Sequence, residues 1–199
     1  MKRSIVLACM VAVGVITVSA NADVYTFQPD PANLDNLEHS KYYAWKIDFS
    51  LPSGETIDSA SLFFDDIYNW NDDDNVLYVS LLDGNWLWDG LSTFSDDQGG
   101  GDNTFDFGGA VSLVKYENLP GGYDNRQDIT YIFDSSEIGT LNTYVLYDDN
   151  FGIGFDPDCH FNNDGVTLTI ATVPVPGAVL LGSIGVSFSG WLLRKRRML

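Results

Sequence analysis

Tyr42-Tyr43-Ala44-Trp45-Lys46-Ile47-Asp48-Phe49 decides the fold class: Tyr43, Trp45, Ile47 and Phe49 alternate with Ala44, Lys46 and Asp48. Successive side chains of a strand point to opposite faces, so this period of two gathers the large residues on one side. Residues 57–64 and 76–82 read as two further strands, separated by the polar, acidic loop 69–75. Trp86-Leu87-Trp88 reads as a short strand between the turn residues Asp83-Gly84-Asn85 and Asp89-Gly90. After the glycine-rich stretch 99–101, residues 104–107, 111–116, 129–133, 151–155 and 166–171 complete the strand-like runs. Their spacing and Gly/Asp/Asn punctuation predict an all-β domain over 23–172, a β-sandwich of jelly-roll type. One segment departs from this pattern. Ile138, Leu141, Tyr144 and Val145 follow Ser135-Ser136 at helical spacing, which predicts one short helix over 137–146 with a serine as its cap.

The two ends have a different character. Lys2 and Arg3 precede an apolar run over 5–18, and Ala20-Asn21-Ala22 forms an A-x-A cleavage site that leaves Asp23 as the first mature residue. This predicts a signal peptide over 1–22, helical in its apolar part. At the other end, Val173-Pro174-Val175-Pro176-Gly177 leads into 178–193, which carries no charge, and then into Arg194-Lys195-Arg196-Arg197. Residues 177–193 reach about 25 Å as a helix, near the short limit for crossing a bilayer, and predict a transmembrane helix. Pro174 and Pro176 cannot continue that helix backwards and make a stiff extended lead-in. The basic end 194–197 holds its side in the cytoplasm, so the bulk of the chain lies outside as a single-pass membrane precursor.

The tail 173–199 resembles the PEP-CTERM sorting signal: a proline pair, a glycine-containing apolar helix and a terminal arginine cluster in that order. Val175 departs from the glutamate of the name-giving motif, so the likeness is to V-P-x-P-G variants. The resemblance implies an exosortase-like enzyme as partner, transient anchoring in the membrane, removal of the tail near the prolines, and release to the cell surface or extracellular polysaccharide. Residues 57–83 and 152–172, with Gly154-Phe155-Asp156-Pro157-Asp158-Cys159, are loosely similar to the β-sandwich ectodomains that precede such tails. That likeness bears on fold and names no activity.

Charge is sharply partitioned. All 28 acidic residues lie in 23–172, where Lys41, Lys46, Lys115 and Arg126 are the basic ones, so that region carries 4 − 28 = −24. Nucleic acid is excluded as a partner, since its binding draws affinity from Lys and Arg neutralising phosphates. Self-repulsion at this charge opposes compaction, and divalent cations outside a cell would offset it. Acidic pairs cluster where loops are expected, and Asp65, Asp66, Asp156 and Asp158 are the residues a sandwich could bring to one end as a structural calcium site. No EF-hand spacing accompanies them.

Catalysis finds little footing. His39 and His160 are the only histidines, the neighbours Cys159 and His160 would face opposite ways in extended chain, and no G-x-S-x-G is present. Cys9 departs with the signal, leaving Cys159 as a lone cysteine expected to be a small buried residue. Trp45 and Trp86 are expected in the core, whereas Trp70 sits amid Asn69, Asn71 and Asp72 and is expected to be exposed as a ligand-binding side chain. The sequence thus points to a non-enzymatic exported protein of the cell surface or matrix. The alternative is a carbohydrate-binding module for extracellular polysaccharide, with or without calcium.

Overall fold

The computed structural model describes residues 22–96, 110–117, 119–175 and 177. Residues 1–21 of the expected signal peptide, the strand expected at 104–107, and the apolar and basic parts of the tail beyond 177 lie outside the described residues. Among the described residues no helix is long and apolar enough to cross a membrane.

Two antiparallel sheets face each other. The six-stranded sheet has the order β1 (Asp23–Phe27), β11 (Gly165–Pro174), β4 (Glu55–Asn69), β10 (Phe161–Asn163), β2 (Asp35–Leu37), with β8 (Gln127–Ile132) also paired to β4. The five-stranded sheet runs β6 (Gly90–Ser95), β3 (Lys41–Asp48), β9 (Asn150–Pro157), β5 (Val76–Leu82), β7 (Val111–Glu117). The opening stretch behaves as its period dictates: Tyr43, Trp45 and Ile47 are buried in the core, and Phe49 joins them just beyond β3. Phe64 of one sheet meets Phe155 of the other edge-on, ring centroids 5.9 Å apart, with Leu62, Ile67, Leu77, Leu81, Ile153 and Leu168 fully buried around them. Edge-on aromatic pairs place the positive rim of one ring against the negative face of the other, which adds to the burial.

Helix α1 (Ser135–Asp148) packs against β4 and β9 and inserts Leu141 and Val145 into the core. Its start differs from the serine cap expected. Asp134 is the cap: its carboxylate accepts from Ser136 N and Glu137 N, while Glu137 reaches back to Asp134 N at 2.7 Å. One oxygen of the Asp134 carboxylate takes both N–H groups and Glu137 closes the box, so the helix begins two residues earlier than the apolar spacing indicates.

Three further differences have local causes. Trp86-Leu87-Trp88 is not a strand; Gly84–Trp86 is a 3-10 turn, with Asp83 accepting from Asn85 N at 3.1 Å and Leu87 N donating to Gly84 O. Leu87 then plugs onto Gly152 of β9, where a Cβ would stand 2.2 Å from Leu87 Cδ1. That contact turns Trp86 and Trp88 outward, 69% and 71% exposed, so Trp86 is not a core residue. Strand β4 runs on past Phe64 to Asn69, which places Asp65 and Asp66 inside a strand rather than a loop. The register against β8 shifts between Phe64 and Ile67, and Asp66 takes a left-handed φ of 49°, so the two aspartates form a bulge. Lastly, β11 continues through Val173 and Pro174, paired with Thr56 and Glu55, and Val175 N donates to Gly54 O at 2.7 Å. The boundary placed after Thr172 therefore falls within β11, and the first residues of the proline motif belong to the sheet.

Candidate functional site

Trp70 follows directly on β4 and is 52% exposed. Its position is set by the loop behind it. Asn69 is fully buried; its Nδ2 donates to Asp73 O at 2.9 Å and its Oδ1 accepts from Asn75 Nδ2 at 2.8 Å. Asn71 Oδ1 accepts from Asn75 Nδ2 and Asp73 N, and Asn71 Nδ2 donates to Asp73 Oδ2 at 2.7 Å. Short amide side chains bonding their own backbone neighbours are what asparagine does best in a turn, and they stiffen the 69–75 loop. Gly121 lets a second segment close against it, since a Cβ there would lie 2.0 Å from Asn71 O.

Trp70 N donates to His160 O at 3.1 Å, carrying the β4–β10 ladder one step beyond Asn69. The indole is held from two sides. Its Nε1–H donates to Cys159 Sγ at 3.0 Å, and its ring stands edge-on to the His160 imidazole at 5.6 Å. Cys159 is half-buried rather than enclosed, because it serves as a hydrogen-bond acceptor at the rim instead of filling the core.

Trp70, His160, Asn36 and Asn162 line an open depression of about 320 Å³. Asn36 and Asn162 are Cα partners across β2 and β10, and Tyr68 is the partner of Asn162 across β4, so the three share one face of the sheet. Tyr68 meets Tyr123 edge-on at 6.0 Å, and the Arg126 guanidinium lies 3.8 Å over the Tyr123 ring while its Nη1 approaches Asp66 Oδ2 at 3.3 Å. The face thus carries amides, aromatic rings and one arginine in sequence. The amides supply paired donors and acceptors, and the rings supply flat apolar area.

Both histidines meet at this depression. His160 Nδ1 lies 2.9 Å from Asn36 Oδ1, and His160 Nε2 lies 3.3 Å from His39 Nδ1. Each ring nitrogen of His160 is therefore engaged by a group other than Cys159, and Cys159 Sγ itself is engaged by Trp70.

The expected calcium residues are divided between the sheets. Asp65 and Asp66 lie on the β4 bulge, and the carboxylate they gather with is Asp128 of β8, all three within 4.8 Å of one another. Asp156 belongs to β9 in the five-stranded sheet, paired with Tyr78 and almost fully buried, and Asp158 just beyond it accepts from Val76 N. The Asp65 carboxyl is pushed above its usual value, first by partial desolvation and then by the charges of Asp128, Asp66 and Asp164. Asp158 is likewise raised by burial, against the lowering effect of Val76 N–H and Lys115. The three carboxylates carry six oxygens between them, and Arg126 Nη1 pairs with Asp66 at 3.3 Å. Asp128 was missed in the sequence because only the β4–β8 pairing brings it to Asp65 and Asp66. Asn36 and Asn162 were missed for the same reason, as nothing local marks an asparagine as half of a cross-strand pair.

No protein-family model matches the chain, and no curated protein matches it.

Proposed function

We propose that this chain is an exported, non-enzymatic protein of the cell surface or extracellular matrix whose sandwich binds polysaccharide through the Trp70 depression. The observation that carries this reading is an indole held by Cys159 and His160 with half its surface in water, beside the paired amides of Asn36 and Asn162. What distinguishes Trp70 from the more exposed Trp86 and Trp88 is the depression it lines together with Asn36 and Asn162, where an aromatic face and polar groups converge. A pyranose ring offers an apolar C–H face that stacks on an indole, and hydroxyls at its edge that pair with amides. The excess of carboxylates disfavours anionic partners and suits a neutral glycan. Jelly-roll connectivity, the finer fold expected from the sequence, belongs to this reading because lectin-like jelly rolls bind sugars on such faces.

Export rests on the termini. The A-x-A site at Ala20 and Ala22, with Asp23 as new N-terminus, would release the domain. Pro174, Val175, Pro176, Gly177 and the basic residues Arg194, Lys195, Arg196 and Arg197 would hold it in the membrane until an exosortase-like enzyme processes the tail. Mass spectrometry of the native protein from cells and medium tests this part: the expected mature form begins at Asp23 and ends near Pro176.

Glycan-array binding by the purified full chain tests the rest. Trp70→Ala should reduce binding to the recognised neutral glycan by at least about tenfold, as loss of 1.4 kcal/mol or more of stacking would. Trp86→Ala, outside the depression, should leave that affinity within twofold. Repeating the array with a chelator separates calcium-dependent from calcium-independent recognition. Absence of binding to any glycan, or equal loss in both variants, overturns the reading.

A further inference from the structure

We propose that His39 and His160 form a two-imidazole site for a late first-row transition metal such as zinc, at the edge of the Trp70 depression. The inference does not depend on glycan binding. An amide oxygen only accepts, so Asn36 Oδ1 at 2.9 Å places the proton of neutral His160 on Nδ1. His160 Nε2 then presents its lone pair, and the atom it faces is His39 Nδ1 at 3.3 Å.

In the metal-free protein that separation suits an N–H···N hydrogen bond, His39 Nδ1–H donating to the lone pair of His160 Nε2. It is also the spacing of two nitrogens on one tetrahedral ion: bonds of about 2.05 Å at the tetrahedral angle put them about 3.3 Å apart. The ring planes stand 84° apart, which keeps the two imidazoles from clashing at that distance. Asn36 supplies the feature that accompanies ligating histidines, an oxygen that takes the remote ring N–H and fixes both tautomer and orientation. His39 lies exposed in the turn between β2 and β3 and His160 lines the depression, so the remaining coordination positions open to water or to an oxygen of a bound ligand.

Imidazole nitrogen prefers zinc, copper and nickel over calcium and magnesium, whereas the many carboxylates prefer the latter. The two classes of site are thereby separable. The full chain, in detergent and excess calcium to occupy carboxylates, is titrated with zinc and followed by calorimetry and by NMR of ¹⁵N-labelled histidine. The chain has two histidines, so the spectrum holds two imidazole systems. One equivalent of zinc should bind and shift both, with His160 keeping its Nδ1 proton and coordinating through Nε2.

His39→Ala and His160→Ala should each abolish the stoichiometric binding. Asn36→Ala should weaken it by about 10- to 100-fold and mix the His160 tautomers, a change that loss of structure alone would not give. Cys159→Ser should leave it intact. Zinc that fails to shift either imidazole, an equivalent that survives both histidine substitutions, or one that vanishes with Cys159→Ser alone would each overturn the proposal. Unchanged circular dichroism melts of the variants exclude unfolding as the cause of any loss.

Discussion

Asn69 shows how much one side chain decides here. It is fully buried, and its amide holds the 69–75 loop by bonds to Asp73 O and Asn75 Nδ2. Truncation would remove both bonds, each worth about 0.5–1.5 kcal/mol net, and open a void where the buried amide stood. Asn69→Ala should therefore lower unfolding stability by about 2–3 kcal/mol in urea titration, and glycan affinity should fall with it because Trp70 loses its support. Tyr116 represents the opposite case. Its hydroxyl is buried without a partner among the described residues, and burial pushes the phenol up to about 12. The flat, exposed Trp70 was readable from its polar neighbours in the sequence, whereas the exposure of Trp86 was not, since it follows from Leu87 finding Gly152.

At the scale of elements, helix α1 is attached to the sheet by Asn142. Its Oδ1 accepts from Ile57 N at 2.9 Å and its Nδ2 donates to Ile57 O at 2.9 Å, so the side chain stands in for a neighbouring strand. The register of β11 against β4 shifts at Ala171/Thr172, opposite this point. Asn142→Leu keeps the volume but leaves both Ile57 groups unpaired, and should cost about 2–3 kcal/mol of stability by denaturant titration while the helix itself persists in far-ultraviolet dichroism. The helix was legible from Ile138, Leu141 and Val145, because a 3.6-residue stripe is a local property. Its cap was legible in principle too: Asp134 followed three residues later by Glu137 is a capping-box spacing, overshadowed by the adjacent serines. The short strands β2 and β10 carry no such stripe. Three residues cannot show a period, and their pairing exists only because β4 extends far enough to receive β10.

For the whole molecule the governing fact is charge, −24 over 23–172. Asp65 and Asp158 have folded-state values raised from the usual aspartate value, in both cases chiefly by desolvation. A raised carboxyl binds its proton more tightly in the folded than in the unfolded chain. Its stabilising contribution is complete below the unfolded value and is lost as pH rises through the folded one. These two groups should therefore raise the melting temperature as pH is lowered through their folded-state values toward the unperturbed aspartate value of about 3.9. Asp65→Asn should raise the melting temperature at pH 7 and flatten this slope, whereas a melting temperature that falls over the same window would contradict the assignment. What the sequence by itself determined is whatever short-range chemistry encodes: the alternation that makes strands, the helical stripe, the acidic body and the exposed character of Trp70. Only the tertiary structure decided which residues stand together. Cross-strand pairing joins Asn36 to Asn162 and Asp65 and Asp66 to Asp128, sets the connections that carry His39 and His160 side by side, and sends Asp156 to the opposite sheet. The physical reason is that strand register and sheet order are set by the collective burial of the core, and no side chain carries that information in its own neighbourhood.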